Sequence, residues 1–304
     1  MPKKKPKSST TQYSQHLAAL SDFIGRATSD QTTKGRSYSL TMRASLSKCF
    51  EFNVSVNDES KTEDAFFFLP ALRGICEDLI VLNYLKSLKP NVREELVELL
   101  CMHGAFSGML IQREFFRSVR PQQSVLCPSN ATTEKRKLED EIRTIWNRNG
   151  WPNMNRGVLP PTQQIAQKQG VAILGILYEY LFRLTSRTVH FSVGSLMRSG
   201  WGSEARQFTF SPRNFNSYSV AYAQFYGSFL FCIYFELFGR FLRPNLEVKN
   251  HVNELRKNLF YESRWPEMVT FEEMNVVPPE FKLSRIFASG MQARTIKRLI
   301  DVGR

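Results

Sequence analysis

Two arginines and a histidine near the middle of the chain have types and spacing that suit phosphate chemistry. Arg183, Arg187 and His190 lie in the segment YEYLFRLTSRTVHFS at spacings of four and three residues. On a helix with 3.6 residues per turn, these spacings place the three side chains on one face, stacked over two turns. Arginine donates a planar fork of hydrogen bonds and histidine transfers a proton near neutral pH, so the three can bind a phosphate. In the structural alternative, Arg183 pairs with Glu179 and His190 caps or packs at the helix end.

A second charged pair, Arg73 and Glu77, lies four residues apart in the otherwise apolar segment LRGICEDLIVLNYL. Charges on such a face are seldom buried unless they are paired. One interpretation is an internal ion pair that orients two helices. In the other, Glu77 faces the motif helix, where it holds Arg187 or fixes the tautomer of His190, and the two helices form a polar pocket. Arg73 would then take part in RNA binding.

The loop after His190 alternates cations with aromatic residues: Arg198, Trp201, Arg206, Phe208, Phe210 and Arg213. Single-stranded RNA is commonly bound in this way, since bases stack on rings for about 1–3 kcal/mol each while phosphates meet arginine. The alternative is a surface loop whose aromatic side chains pack into the core. A weaker version of the pattern occurs upstream: Arg143, Trp146, Arg148 and Trp151. The remaining histidines are interpreted as structural or solvated: His16, His103 and His251.

These residues resemble two helical families. Arg183 and His190 match the R-x4-6-H motif of HEPN domains, helical bundles that are often dimeric and include many metal-independent ribonucleases of toxins and phage-defence systems. The wider string, over roughly residues 66–197, is more similar to an uncharacterised bacterial helical family catalogued only as a domain of unknown function. That family's pattern is an R-x-x-x-E helix, a Trp-containing segment and an aromatic-rich helix ending in S-x-x-x-H. Its three parts are matched here by Arg73 with Glu77, by IWNRNGW, and by Ser186 with His190.

The HEPN resemblance implies a metal-independent endoribonuclease without a cofactor. His190 would be the general base or acid for the ribose 2′-hydroxyl or the leaving oxygen, while Arg187 and Arg183 stabilise charge at phosphorus, supported by Glu77. The resemblance also implies a homodimer whose motif helices face each other. A further partner protein from a defence or toxin–antitoxin operon is expected on the same grounds.

Composition limits the other possibilities. The 304 residues carry a net charge of +13, which makes a polyanion such as RNA the natural partner. The five cysteines are odd in number and lack C-x-x-C spacing, so neither a disulfide framework nor a metal site is predicted. No P-loop, G-x-G-x-x-G, H-E-x-x-H, G-x-S-x-G or EF-hand motif occurs. Most NTPases, dehydrogenases, zinc proteases and hydrolases of standard pattern are therefore excluded.

Apolar spacings of three and four residues dominate the chain and predict an all-α fold. The expected architecture is a helical bundle with a HEPN-like core and additional C-terminal helices. The predicted helices are 12–26, 38–52, 62–88 (broken or bent near Pro70), 92–119, 133–149, 162–190 (long or once broken), 250–260 and 287–300, with a loop over 194–212 and weak strand-like alternation at 206–210. The domain prediction is a flexible basic tail over 1–11, the bundle over 12–244 and a packed helical extension over 245–304.

One segment, 220–242, is apolar enough to be tested as a membrane span. Gln224, Ser228, Glu236 and Arg240 interrupt it, and a mid-bilayer Glu or Arg costs about 2.5–3.5 kcal/mol. Ser211-Pro212 marks a helix start typical of a soluble protein. The segment therefore predicts a buried core helix and a cytoplasmic protein without a membrane. Three functions remain open: an RNA endonuclease, a non-catalytic helical module that binds nucleic acid or a protein, and a membrane-associated protein.

Overall fold

The computed structural model describes residues 10–29, 37–58, 63–152, 157–169, 171–190, 192–198, 210–262 and 264–270. Within these ranges every regular element is a helix and no strand occurs: α1 (Thr10–Thr28), α2 (Ser37–Asn57), α3 (Ala65–Ser87), α4 (Pro90–Val119), α5 (Ala131–Arg148), α6 (Thr162–Lys168), α7 (Ala172–Val189), α8 (Val193–Arg198), a 3-10 helix (Pro212–Phe215), α9 (Asn216–Leu242) and α10 (Leu246–Tyr261). The predicted all-α fold is confirmed. The HEPN-like arrangement of the core stays a prediction.

The helices depart from the predicted segments in a few places. α3 runs unbroken through Pro70, which lies in its second turn and removes one backbone hydrogen bond from the ladder. The predicted segment 162–190 is divided after Lys168 into α6 and α7. The predicted loop 194–212 is wrong at its start, because α8 occupies Val193–Arg198. The predicted helix 287–300 and residues 206–209 of the weak strand lie outside the described residues.

The chain divides into two compact units, each made of discontinuous stretches. The first unit contains Met1–Asp30, Arg43–Ile80 and Ala166–Arg304, and the second contains Gln31–Met42 and Val81–Ile165. Helices α2 and α3 each contribute residues to both units. The predicted division into a tail over 1–11, a bundle over 12–244 and an extension over 245–304 stays a prediction.

The core of the first unit is centred on α9, which is buried continuously from Tyr222 to Phe235. Helices α1 and α10 pack against it. Its interior polar side chains find partners on α2. The Gln224 amide donates to the carbonyl oxygen of Val56 at 2.9 Å, and the Ser228 hydroxyl donates to Asn53 Oδ1 at 3.3 Å. A helix buried on all sides tolerates these polar groups because each donor has an acceptor.

Helix α9 is also long and apolar enough to cross a membrane, the single helix of that kind within the described ranges. However, 72% of its most apolar window is buried inside the protein. Near its end, Glu236 forms an ion pair with Arg256 of α10. Such burial and internal pairing are typical of the core helix of a soluble protein, and they favour the predicted core helix over a membrane span.

In the second unit, α4 and α5 pack against each other. The Trp146 indole is fully buried, and its Nε1 donates to the carbonyl oxygen of Val158 at 2.8 Å. The Trp151 indole Nε1 donates to the Tyr84 hydroxyl at 2.7 Å. Both indole N–H groups are therefore used inside the unit, which gives the two tryptophans a structural role rather than the RNA contact that their pattern weakly suggested.

Candidate functional site at the end of α7

Helix α7 carries the predicted motif and is amphipathic. Its buried face is mainly aliphatic: Ile173, Leu174, Leu177, Leu181 and Leu184. The residue after the helix, His190, is extended (φ −100°, ψ 159°), and its backbone N–H donates to the carbonyl oxygen of Ser186 at 2.9 Å. The His190 side chain is exposed. His190 therefore caps the end of α7 while its imidazole remains open to solvent.

Arg183 and Arg187 lie on α7 and His190 follows its last residue, so the three positions span about 10 Å along the helix axis. The side chain of Arg187 lies outside the described residues. Arg183 forms an ion pair with Glu179 at 2.7 Å, with 66% and 50% of the two side chains exposed. The pair that the structural alternative predicted is therefore present. An exposed pair of this spacing contributes only about 0.3–0.5 kcal/mol, so a phosphate can displace Glu179.

The Arg73–Glu77 pair connects α3 to α7 through two aromatic residues. Arg73 Nε donates to Glu77 Oε1 at 2.8 Å, and the Tyr178 hydroxyl donates to the same oxygen at 3.1 Å. The Arg73 guanidinium lies over the Phe182 ring, 4.3 Å from its centroid, in a cation–π contact. Tyr178 and Phe182 are one turn apart on α7, as Arg73 and Glu77 are on α3. The four side chains therefore orient the two helices, as the structural interpretation predicted.

The Arg73 guanidinium stays charged in this cluster. Burial lowers its pKa, but the hydrogen bond and the charge of Glu77, assisted by Tyr178, raise the pKa overall. Its charge is balanced by Glu77, and 32% of its side chain is exposed. An RNA contact by Arg73 stays a prediction. The link from Glu77 to Arg187 or His190 also stays a prediction, since the described contacts of Glu77 are with Arg73 and Tyr178.

The Arg/aromatic loop falls largely outside the described part of the chain. This applies to Trp201, Arg206 and Phe208 and to the side chain of Arg198. Arg213 is described and exposed, and its guanidinium lies 3.5 Å from a Glu63 oxygen and 3.6 Å from an Asp64 oxygen. Any phosphate at Arg213 must therefore compete with two carboxylates. RNA binding by this loop stays a prediction.

The other histidines have partners within the fold. His16 on α1 and His251 on α10 face each other with their Nδ1 atoms 3.4 Å apart. Burial and repulsion by His251 lower the pKa of His16. In the second unit, His103 Nε2 lies 3.2 Å from Glu139 and 3.4 Å from Ser107 Oγ. A catalytic triad uses one ring nitrogen for each partner, so this Ser–His–Glu cluster is not a triad.

Sequence reasoning missed Tyr178 and Phe182, although both lie in the segment that it singled out. A usable signal was the matching one-turn spacing of the aromatic pair on α7 and the charged pair on α3. Ser186, one turn before His190, has a buried Oγ with no hydrogen-bond partner among the described residues. Tyr178, Phe182, Ser186 and His190 follow one another at four-residue intervals along α7 and its C-terminal end.

Metal-ligating side chains do not gather at this site or elsewhere in the described ranges, where no group of three or more His, Cys, Asp or Glu residues suits a metal ion. All five cysteines have free thiols, and Cys49, Cys76 and Cys232 are buried. The end of α7 offers a hydrogen-bond donor for phosphate at Arg183 and a group for proton transfer at His190. Cofactor independence stays a prediction.

Comparison with known proteins identifies the segment that carries these features. Residues 67–208 match the model of a family of unknown function, DUF5677. The predicted resemblance to an uncharacterised family is thereby confirmed, and the matched segment contains both the α3–α7 cluster and His190. No curated protein and no solved structure matches the chain.

Proposed function

We propose that the end of α7 binds RNA and cleaves it without a metal ion, in the manner of a HEPN-like endoribonuclease acting in the cytoplasm. The observation that carries the proposal is that His190 lies exposed directly after α7, two turns beyond the exposed Arg183. A phosphodiester on this side of the helix meets a guanidinium and an imidazole. The net charge of +13 favours such a polyanionic substrate.

The chemistry requires little from the protein, because RNA carries its own nucleophile. His190 takes the proton of the ribose 2′-hydroxyl, the 2′-oxygen bonds to phosphorus, and the bond from phosphorus to the next 5′-oxygen breaks. The leaving oxygen takes a proton from water, and the products are a 2′,3′-cyclic phosphate and a 5′-hydroxyl. Proton transfer of this kind contributes about 10²–10⁴-fold to the rate. Arg183 and Arg187 stabilise the charge that develops at phosphorus.

Glu77 and Arg73 act as positioning residues in this proposal. Sequence reasoning grouped Glu77 with the catalytic residues, but its carboxylate is engaged by Arg73 and Tyr178. Loss of Glu77 would leave Arg73 without its counter-charge and loosen the contact between α3 and α7. The effect on cleavage is therefore indirect, through the orientation of the helix that ends at His190.

The expected homodimer belongs to the same proposal. Two copies with their α7 helices facing each other would bring two His190 groups to one site. Ile176 is 62% exposed and lies two turns before Arg183 on the same side of α7, where it offers an apolar contact. A partner protein from a defence or toxin–antitoxin operon would act on this assembly.

The test is cleavage of total cellular RNA in EDTA, with analysis of the product ends. His190→Ala should lower the rate at least about 100-fold, the lower bound for lost proton transfer. Arg183→Ala should lower it less, whereas Glu179→Gln releases Arg183 from its partner and should leave cleavage equal or faster. Circular dichroism of each variant establishes that it is folded. Unchanged cleavage by His190→Ala would contradict the proposal.

A non-catalytic module that binds nucleic acid or a protein partner is the second candidate. It is favoured by the ion pair of Arg183 with Glu179, which gives this predicted catalytic residue a structural partner. In that case the logarithm of the RNA-binding constant falls linearly with the logarithm of the salt concentration, and no RNA is cut. Binding that is unchanged when Arg198, Arg206 and Arg213 are replaced by Ala would remove the loop from either function.

A further inference from the structure

The end of α4 in the second unit carries three exposed arginines, called the α4-end arginines here: Arg113, Arg117 and Arg120. Arg113 and Arg117 lie one turn apart on α4. Arg120 follows the last residue of the helix, and its backbone N–H donates to the carbonyl oxygen of Phe116 at 2.8 Å. No described residue forms an ion pair or a side-chain hydrogen bond with any of the three guanidiniums. All three charges are therefore available to an anion.

Acidic residues are scarce in the sequence around the α4-end arginines. Glu114 is the single acid between residues 99 and 133, a stretch that carries three arginines. The next acid along the chain, Glu134, pairs with Lys137 at 3.0 Å. The positive charge at the end of α4 is therefore not balanced by carboxylates from the same part of the chain.

The surface around the α4-end arginines also offers uncharged hydrogen-bonding groups. Residues 111–124 are exposed apart from Phe116, and they include Gln122, Gln123 and Ser124 in the loop after α4. In nucleic-acid complexes, side-chain amides and hydroxyls share with arginine the contacts to phosphate and sugar. The end of α4 thus combines free cations with the polar groups that accompany them at such surfaces.

A structural role explains only part of this cluster. Cations in the last turn of a helix are stabilised by the helix dipole, and the effect falls off within that turn. It accounts for Arg117, which lies in the last turn of α4, and for Arg120 directly after the helix. Arg113 lies about 9 Å before the end of α4, beyond that range. The guanidinium of Arg113 is therefore left for contact with an external anion.

We propose that the α4-end arginines bind the phosphate backbone of RNA, as a contact surface separate from the end of α7. A guanidinium donates two parallel, charge-assisted hydrogen bonds to a phosphate. At Arg73, Arg183 and Arg213 a phosphate must compete with a carboxylate, whereas at the end of α4 it meets free guanidiniums. The contacts are with phosphates, so binding does not depend on base sequence. The choice of RNA among polyanions rests on the proposed function, but the surface itself requires no cleavage.

The test is the binding of a short single-stranded 2′-O-methyl RNA, measured by fluorescence anisotropy at several salt concentrations. The methyl group blocks the 2′-oxygen, so the chain cannot cleave this probe, and a failure of the proposed cleavage does not affect the measurement. Each phosphate contact with a single strand contributes about 0.7 to the slope of the logarithm of the association constant against the logarithm of the salt concentration.

The variant that carries Arg113→Gln, Arg117→Gln and Arg120→Gln loses up to three such contacts, so its slope should be shallower by about 2. Between about 50 and 200 mM salt, the ratio of the wild-type to the variant association constant should therefore fall about 20-fold. A wild-type chain that does not bind the probe, or a variant with an unchanged slope, overturns the proposal.

The matched control removes the same charge from cations that already have a carboxylate partner: Lys48→Gln, Lys137→Gln and Lys257→Gln. Each of these ammonium groups lies 2.6–3.0 Å from its carboxylate. This control variant should keep the wild-type slope. An equal change of slope in both triple variants would assign the binding to net charge alone and overturn the proposal. Far-UV circular dichroism establishes that both variants are folded.

Glu114 provides a test in the opposite direction. Its carboxylate is exposed, lies between Arg113 and Arg117 in the sequence, and repels phosphate. Glu114→Gln should therefore strengthen binding about two- to threefold at low salt, and unchanged or weaker binding contradicts the location of the site. Polyglutamate of equal charge serves as a competitor. If it displaces the probe as well as unlabelled RNA does, the partner is an acidic protein and the proposal is overturned.

Discussion

The sharpest stability prediction concerns Gly227, where α9 crosses α2. A Cβ at this position would lie 2.6 Å from Cε1 of Phe52 and 2.9 Å from Oδ1 of Asn53. Asn53 is fully buried, and its amide donates to the carbonyl oxygens of Gly227 and Cys49 at 3.1 and 2.8 Å. Phe52 is also buried. Neither neighbour can withdraw without breaking its own contacts, so Gly227→Ala should destabilise the first unit.

The magnitude follows from three contributions. Alanine gains about 1 kcal/mol of helix propensity over glycine. Overpacking costs about 1–3 kcal/mol, and displacement of the Asn53 amide from the Gly227 carbonyl costs a further 1–3 kcal/mol or so. The expected net loss is therefore about 1–5 kcal/mol. Gly239, in the same helix, has no described atom within 4 Å of an added Cβ, so Gly239→Ala should instead gain up to about 1 kcal/mol.

Urea and thermal unfolding followed by far-UV circular dichroism measure both variants against wild type. Each kcal/mol corresponds to about 2–4 °C in Tm for a domain of this size. The two units need not unfold in a single transition. The shift in Tm is therefore measured at the unfolding transition that moves in the two variants. The two alanines must change stability in opposite directions. If Gly227→Ala is as stable as Gly239→Ala, the close contact between α2 and α9 is refuted.

Two further predictions concern the first unit. The Trp265 ring packs on Phe225 and Phe229, at centroid distances of 4.9 and 5.4 Å, so Trp265→Ala should lower the free energy of unfolding by about 1–3 kcal/mol. Val269 is exposed, and Val269→Ala should change the free energy of unfolding by no more than about 0.5 kcal/mol. Equal urea midpoints for the two variants would contradict the packing of Trp265. Burial and repulsion by His251 lower the pKa of His16 in the folded chain. At pH values below about 6.5, the ordinary pKa of histidine, the unfolded chain therefore binds a proton at His16 more readily than the folded chain does. Stability should therefore fall between pH 7 and pH 5, and His16→Gln should lose less over that range; an equal loss in both proteins would refute the linkage.

The fold was largely predictable because most helices bury one apolar face and show it as a repeat of three and four residues. α9 shows where the pattern is incomplete. Its polar residues identify it as a core helix rather than a membrane span, but their partners Val56 and Asn53 lie in α2, more than a hundred residues earlier. Such long-range pairing leaves no periodic signal in either segment. For the same reason the sequence did not predict that α2 and α3 contribute to both units.

The candidate site was predictable in position but not in partners. The spacing of Arg183 and His190 predicted one helix running through His190. Arg183 lies exposed on α7, whereas His190 follows the last residue of α7 in an extended conformation. What Glu77 contacts depended on the rotation of α3 against α7, which brought Tyr178 and Phe182 to the charged pair. Helix rotation is set by the packing of whole apolar faces, so a local motif does not reveal it.

The distribution of charge shows why composition alone could not locate an interface. A net charge of +13 describes the whole surface, whereas binding depends on which cations lack a local carboxylate. Three arginines chosen for their spacing or their aromatic neighbours each have such a carboxylate: Arg73, Arg183 and Arg213. Of these, the exposed i,i+4 pair of Arg183 and Glu179 contributes little free energy, so little is lost when a phosphate replaces Glu179. More free energy would be lost at Arg73, because its guanidinium contacts both the half-buried Glu77 carboxylate and the Phe182 ring. A polyanion should therefore meet α7 first at Arg183, on the side of the helix that leads to His190.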